Sequence, residues 1–179
     1  MVRSYISSHG ERDKWFLGES PRKNSERARM EINSNFPRGS RILDIGTGTG
    51  ELVRLLREDG HESYGIDLNL RRETKGIFIA NAMNLPFREG SFDIVVENML
   101  LLDITSFQES YYFDYPGELR YVVKEVSRVL RPEGVLVTYF DLFSPIWKEF
   151  METCTLHKRT DSLIIRKSLS PYTPSVSVQ

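Results

Sequence analysis

Residues 42 to 50, Ile-Leu-Asp-Ile-Gly-Thr-Gly-Thr-Gly, constrain this chain more than any other stretch. An apolar, β-forming run ends in three glycines at alternate positions. It then passes directly into Glu51 to Glu58, where Leu52, Leu55 and Leu56 recur at helical spacing and Gly60 closes the helix. Glycine takes up positive φ freely and lets a ligand approach the backbone. The start of the helix offers unpaired N–H groups to something polar. A glycine-rich turn alone often serves only local geometry, but one framed by strand and helix, with an acid at the strand's end, reads as a binding turn. Dinucleotide-binding turns space their glycines Gly-x-Gly-x-x-Gly, whereas here the spacing is Gly-x-Gly-x-Gly with Asp44 two positions before the first glycine. A carboxylate there repels a pyrophosphate and suits an ammonium group. Asp44 can also serve simply to order the turn, and the two roles are compatible.

Around this turn, short β-rich runs alternate with helical patterns, which predicts an α/β fold built on a mostly parallel sheet. Ser20-Pro21 starts a helix that runs to about Asn35, with Ala28 and Ile32 on one face. The strands are read at Arg41 to Ile45, Tyr64 to Leu68, Gly76 to Ile79, and Phe92 to Glu97, the last a β-branched run suited to a central position. A helix from about Glu118 to Leu130 aligns Leu119, Val122, Val123, Val126, Val129 and Leu130. It is followed by a turn at Arg131-Pro132-Glu133-Gly134 and a fifth strand from Val135 to Phe140. A short helix at Pro145 to Met151 and a strand pair, Thr155–Lys158 with Ser162–Lys167, finish the sheet. The crossover from Leu68 to Gly76 has nine residues, fewer than a helical crossover needs. Its helix is therefore expected to be lost or cut to a turn. One face of the third strand is then thinly covered and open to a partner subunit or a second copy.

Bulk properties narrow the function classes. A chain of 179 residues fits one domain, and its net charge of −1 gives no field that seeks a polyanion. The stretch from Arg12 to Arg41 is locally basic, which reads as a solvated helix face of mixed charge. No apolar run reaches the length of a membrane span, and the first residues are too polar for a secretory signal. A single cysteine, Cys154, rules out an internal disulfide and fits a reducing, cytoplasmic compartment. No Cys/His cluster has metal spacing, so no metal is expected. His61 and His157 are expected to be structural, and His9 lies in an N-terminal arm.

From about Arg41 to Phe140 the sequence resembles the class I S-adenosylmethionine-dependent methyltransferases. Asp44, Gly46, Gly48 and Gly50 match that family's first motif, which holds the methionine part of the cofactor, and Thr47 lies within it. Asp67 matches the acid that holds both ribose hydroxyls, as one carboxylate can accept from a vicinal diol; Leu68 follows it. Asn81 to Phe87 (NAMNLPF) looks like the adenine-side segment, and the Arg131 to Gly134 turn resembles one these enzymes carry before their fifth strand. Many relatives have Asp at the place of Asn81, but an amide oxygen still accepts from the adenine amino group.

The resemblance implies a Rossmann-like class I methyltransferase fold, a mostly parallel seven-stranded sheet with a terminal antiparallel strand and, here, a shortened crossover after the second strand. It also implies S-adenosylmethionine as cofactor, bound by Asp44, Gly46, Thr47, Gly48, Gly50, Asp67, Leu68, Asn81, Ala82, Met83 and Glu97. The chain divides into an arm and helix covering the site (1–36), a cofactor-binding domain (37–168) and a tail (169–179).

Methyl transfer is an in-line displacement in which positioning supplies most of the acceleration. Catalytic residues are therefore hard to read, and Glu97, Asp103 and Tyr111 are the candidate bases. The Asn/Asp-Pro-Pro-aromatic motif of enzymes that methylate base amines is absent after the fourth strand, which argues against a nucleic-acid acceptor. The stretch from Asp103 to Gly117 is aromatic and acidic. It reads either as a lid over a small molecule or as a loop packed onto the sheet. Trp15 and Phe16 either fold over the pocket or anchor the arm. The expected function is methyl transfer to an N or O atom of a small molecule, with no nucleic-acid or membrane partner. A non-catalytic cofactor-binding subunit or regulator is the alternative, and a nicotinamide oxidoreductase is disfavoured by the glycine spacing.

Overall fold

The structure, a computed structural model, describes residues 21–70, 75–97, 115–138, 154–158 and 163–167. In chain order it contains helix α1 (Pro21–Asn35), strand β1 (Arg41–Ile45), helix α2 (Glu51–Glu58), strand β2 (Glu62–Asp67), strand β3 (Ile77–Ile79), strand β4 (Phe92–Glu97), helix α3 (Tyr115–Val129), and strands β5 (Leu130–Thr138), β6 (Cys154–Lys158) and β7 (Leu163–Lys167). The seven strands form one sheet in the order β3-β2-β1-β4-β5-β7-β6. β1 to β5 pair in parallel, and β7 runs antiparallel to both β5 and β6. The expected α/β architecture, with one antiparallel strand near the end, is therefore present. No helix among the described residues is long and apolar enough to cross a membrane.

Alternation along the strands sends side chains into two layers. On one face Ile42, Ile94, Val96, Val135 and Val137 meet Ala28 and Ile32 of α1 and Leu52 and Leu56 of α2. On the other, Leu43, Ile45, Ile66, Phe92, Val95 and Leu136 meet Val122, Val126 and Val129 of α3. Those three valines recur one turn apart, and Val123 lies at the cluster's margin. α1 runs beside α2. Near its C-terminal end the guanidinium of Arg29 forks onto Asp59 (2.5 Å to each oxygen), which caps α2, and Asn33 donates to the same carboxylate (2.6 Å). His61 is buried and its Nε2 lies 3.0 Å from Asn33 Oδ1, a structural contact as expected.

Several boundaries differ from the sequence reading. β2 begins at Glu62 rather than Tyr64, where Arg41 and Glu62 pair across the first rung (3.2 Å), and it ends at Asp67. Leu68 is not part of the strand and is 59 % exposed. α3 starts at Tyr115, earlier than Glu118, with Pro116 in its first turn, where a missing N–H costs nothing. Leu130 belongs to β5, opposite Phe92. The next rung pairs Ile94 with Val135, so residues 131–134 bulge out of a strand read as beginning after the turn. At the bulge Glu133 takes φ 62°, and a Cβ on Gly134 would lie 2.8 Å from the Arg131 carbonyl oxygen. β6 begins at Cys154, one residue early.

The described part of the β2–β3 crossover holds only bends and a turn, as its length predicts. Arg57 of α2 spans the gap, donating from Nε to the Ser63 carbonyl (2.8 Å) and from Nη1 to that of Lys75 (2.6 Å). Phe78 and Ile79 on the edge strand β3 remain exposed. The N-terminal arm with His9, Trp15 and Phe16, the candidates Asp103 and Tyr111, the short helix at 145–151 and the tail lie outside the described residues.

Candidate functional site

The carboxyl ends of β1, β2 and β4 converge on the glycine turn. Gly46 and Thr47 N–H groups both donate to the Ile66 carbonyl (2.9 Å each), bolting the turn to β2. Gly46, Gly48 and Gly50 all have positive φ (75°, 54° and 76°), a conformation that disfavours side chains. An ideal Cβ on Gly50, the residue that caps α2, would fall 2.2 Å from Ile77 Cδ1, so Ile77 packs under the turn only because position 50 is glycine. A Cβ on Gly48 would meet nothing within 4 Å: the turn is open on that side. Thr47 lies flat over β2, and a Cβ on Gly65 would come within 2.8 Å of its side chain.

Three carboxylates gather at these strand ends. Asp44 is 2 % exposed, and among the described residues neither its Oδ1 nor the nearby Thr47 Oγ1, both buried, has a hydrogen bond of full geometry. Burial pushes its carboxyl up to about 7; the Thr47 hydroxyl pulls down, and the charges of Glu97 and Asp67 push further up. Asp67 is half-buried. Its Oδ2 accepts from Gly48 N–H and its Oδ1 from Asn69 N–H (2.8 Å each). Each of those oxygens keeps a second lone pair. Glu97 is fully buried, paired in register with Thr138 on β5, whose Oγ1 donates to Glu97 Oε2 (2.6 Å).

Beside them, Ala80 N–H donates to the Asp67 carbonyl (3.2 Å), hanging segment 81–87 from the end of β2. Asn81 turns its amide oxygen inward to accept from Met83 N–H (2.9 Å), Ala82 is buried and Met83 packs at the core's edge. The structure thus brings Asp44, Thr47, Gly48, Asp67 and segment 81–83 to one end of the sheet. Leu68, exposed at the same strand end, and Glu97, enclosed, flank them.

Sequence reasoning missed four contributors. Thr138 reaches the site through Glu97, Gly65 through Thr47, and Glu125 and Arg128 through main-chain atoms of residues 85–87. The Glu-x-x-Arg spacing on a helix was visible, but its backbone partners were not.

Comparison with known proteins agrees with this geometry. A family described as "Methyltransferase domain" matches residues 43–138, more than half of the chain. Demethylmenaquinone methyltransferase of Thermotoga maritima is 32 % identical over 155 residues, covering 81 % of this chain and 57 % of the relative. An uncharacterised protein of Methanocaldococcus jannaschii is 27 % identical over 124 residues, 65 % of this chain and 43 % of its own length. The chain spans about half the length of the curated relatives it matches. Among solved structures, a Burkholderia thailandensis 1,6-didemethyltoxoflavin-N1-methyltransferase with bound S-adenosylhomocysteine superposes with a TM-score of 0.61, at 17 % identity over 88 % of this chain and 82 % of that one. The fold and strand-end site define a methyltransferase-type α/β domain. The chain belongs to the methyltransferase-domain family, the S-adenosylmethionine-dependent group its first motif resembles.

Proposed function

We propose that this chain transfers a methyl group from S-adenosylmethionine to an N or O atom of a small-molecule acceptor. One observation carries the cofactor assignment: buried Asp44 Oδ1 and Thr47 Oγ1, close to each other but with no hydrogen bond of full geometry among the described residues, lie beside a glycine turn whose Gly48 faces open space there. Buried polar atoms without partners are uncommon in folded proteins, and a polar ligand is one way to satisfy them. Asp44 suits the cofactor's ammonium group, since a cation beside it offsets the burial that disfavours its charge. The spare lone pairs of Asp67 suit a ribose diol, and segment 81–83 with Leu68 forms the adenine side. Bound there, the cofactor supplies an electrophilic methyl group on a sulfonium. The chain's own contribution is to hold cofactor and acceptor in line at the strand ends.

Glu97 sits in this reading as a buried strand-end carboxyl bonded to Thr138, which orders the strand end rather than reaching an acceptor. That enclosure favours one second reading, a cofactor-binding subunit without turnover of its own. The acceptor in the name of the Thermotoga maritima relative, demethylmenaquinone, supports a small molecule as acceptor without bearing on N or O, and the single cysteine supports a cytosolic setting. The test is calorimetric titration with S-adenosylmethionine, S-adenosylhomocysteine and NAD, alongside Asp67→Ala, followed by mass-spectrometric screening of acceptors. Binding of the adenosyl ligands that is abolished in Asp67→Ala is the expected result. Tighter binding of NAD would overturn the assignment, and tight binding without turnover on any acceptor would favour the subunit.

A further inference from the structure

Outside the strand-end site, one cluster ties a helix to the loop that flanks the site. Arg128 and Glu125, one turn apart on α3, pair side-on, with Arg128 Nε 2.7 Å from Glu125 Oε1 and Nη2 2.6 Å from Oε2. The same guanidinium continues past its partner, donating from Nη1 to the Phe87 carbonyl (2.7 Å) and from Nη2 to the Leu85 carbonyl (3.0 Å). Glu125 Oε2 accepts from Leu85 N–H (2.7 Å). Both main-chain groups of Leu85 and the carbonyl of Phe87 are thus satisfied by one ion pair. The Arg128 carbonyl also accepts from Gly90 N–H (3.0 Å), so the loop is fastened again just beyond.

We propose that Glu125 and Arg128 are positioning residues for the cofactor, setting the height of segment 81–87 against the end of β2. The proposal rests on the reading of that segment as the adenine side of the site. The segment belongs to no strand ladder. At one end Ala80 hangs from Asp67, and at the other Leu85 and Phe87 hang from the Glu125–Arg128 fork. Among the described residues, the hydrogen bonds between the anchors are the Asn81 side-chain turn to Met83 and the Asn84 N–H to Asn81 carbonyl bond (2.9 Å). Side-chain burial of Ala82 and Leu85 fixes which way the segment faces. How far it stands from the acid that closes β2 depends on the two anchors. An ion pair one turn apart on a partly exposed helix contributes little to stability as a pair. Five N–H donors in a rigid fork can hold two carbonyls and a carboxylate in one plane, which an ammonium group cannot.

The experiment uses the full chain and two probes, S-adenosylhomocysteine and 5′-methylthioadenosine, titrated calorimetrically into the unaltered protein, Arg128→Lys, Glu125→Gln and Val126→Ala. Val126 is buried on the same helix, in the cluster that holds Leu85, and makes none of the fork's hydrogen bonds. Arg128→Lys and Glu125→Gln are expected to weaken both probes by the same factor, about tenfold, the scale of one charge-assisted hydrogen bond. Val126→Ala is expected to lower Tm while leaving both affinities in place. If the two fork variants lower Tm yet bind both probes as tightly as the unaltered chain, the pair is a structural staple and the proposal is overturned. If the unaltered chain binds neither probe, or Asp67→Ala binds both as well as it does, the cofactor-site reading itself fails and takes this proposal with it.

Discussion

At the scale of single residues, Asp44 is the most informative group. Its carboxyl is held up near 7 by burial, against 3.8 for the ordinary group, with Glu97 and Asp67 facing it from β4 and β2. A pKa raised in the folded state favours folding when the group is protonated. That contribution is fully present below about pH 4 and is lost as pH rises through about 7. His61, whose buried imidazole titrates below its ordinary value, works in the opposite direction, gaining stability as pH rises toward 6.5, where the gain is complete. The expected outcome therefore concerns a difference. Between pH 5 and 8, Asp44→Asn gains stability over the unaltered, ligand-free chain, reaching on the order of a few kcal/mol at the upper end. Parallel thermal melts across that window check it, and profiles that stay parallel would rule it out.

Residue-level legibility followed the kind of partner involved. Asp44 and Asp67 could be read because each stands at a fixed offset from a glycine turn or strand end, and chain geometry alone delivers it to the site. Thr138, Glu125 and Arg128 could not, because their partners are 40 or more residues away or are main-chain atoms that every residue carries. The enclosure of Glu97 was hidden for a related reason, since a glutamate ending an apolar run looks the same whether or not a neighbouring strand supplies a hydroxyl.

At the scale of elements, a side chain from α2 braces the described part of the short β2–β3 crossover. Arg57 reaches from α2 to the carbonyls of Ser63 and Lys75, and a Cβ on Gly76 would lie 2.1 Å from its Nη2, so position 76 must be glycine for the fork to pass. Arg57→Ala leaves those carbonyls to solvent and is expected to destabilise the chain by about 1–3 kcal/mol. The loss should concentrate at β3, which has three residues and little else to hold it. Hydrogen exchange reads this directly, with β3 amides expected to open well before those of β1 and β4.

Strands at the sheet's centre were plain in the sequence because burial on both faces makes them continuous apolar runs. Strand ends were less so. Glu62 and Ser63 look like loop residues, yet Arg41 opposite Glu62 supports a rung there. Arg131–Gly134, expected as a turn before the fifth strand, instead lies within β5 as a bulge, because Leu130 pairs with Phe92, a long-range fact.

At the scale of the whole molecule, the sheet order places every candidate residue that the structure describes at one end. That follows from parallel strands carrying their carboxyl ends to the same side. A ligand bound there touches β1, β2 and the 81–87 segment together and favours the folded state as a unit. S-Adenosylhomocysteine at a hundred times its Kd is expected to contribute about 2.7 kcal/mol. For a chain of this length that corresponds to a Tm rise of about 5–10 °C. Differential scanning calorimetry with increasing ligand checks it, and a Tm indifferent to the ligand would deny the site.

The fork on α3 gives its ion pair a direction. An exposed helix pair such as Arg22 with Glu26 joins two side chains, and exchanging acid for base there would cost little. Glu125 and Arg128 have no such freedom. Reversed, a carboxylate would face two carbonyl oxygens and a guanidinium would face an N–H group, so repulsion would replace both sets of bonds. Sequence drift can therefore loosen this pair or keep it, but it has no route to inverting it.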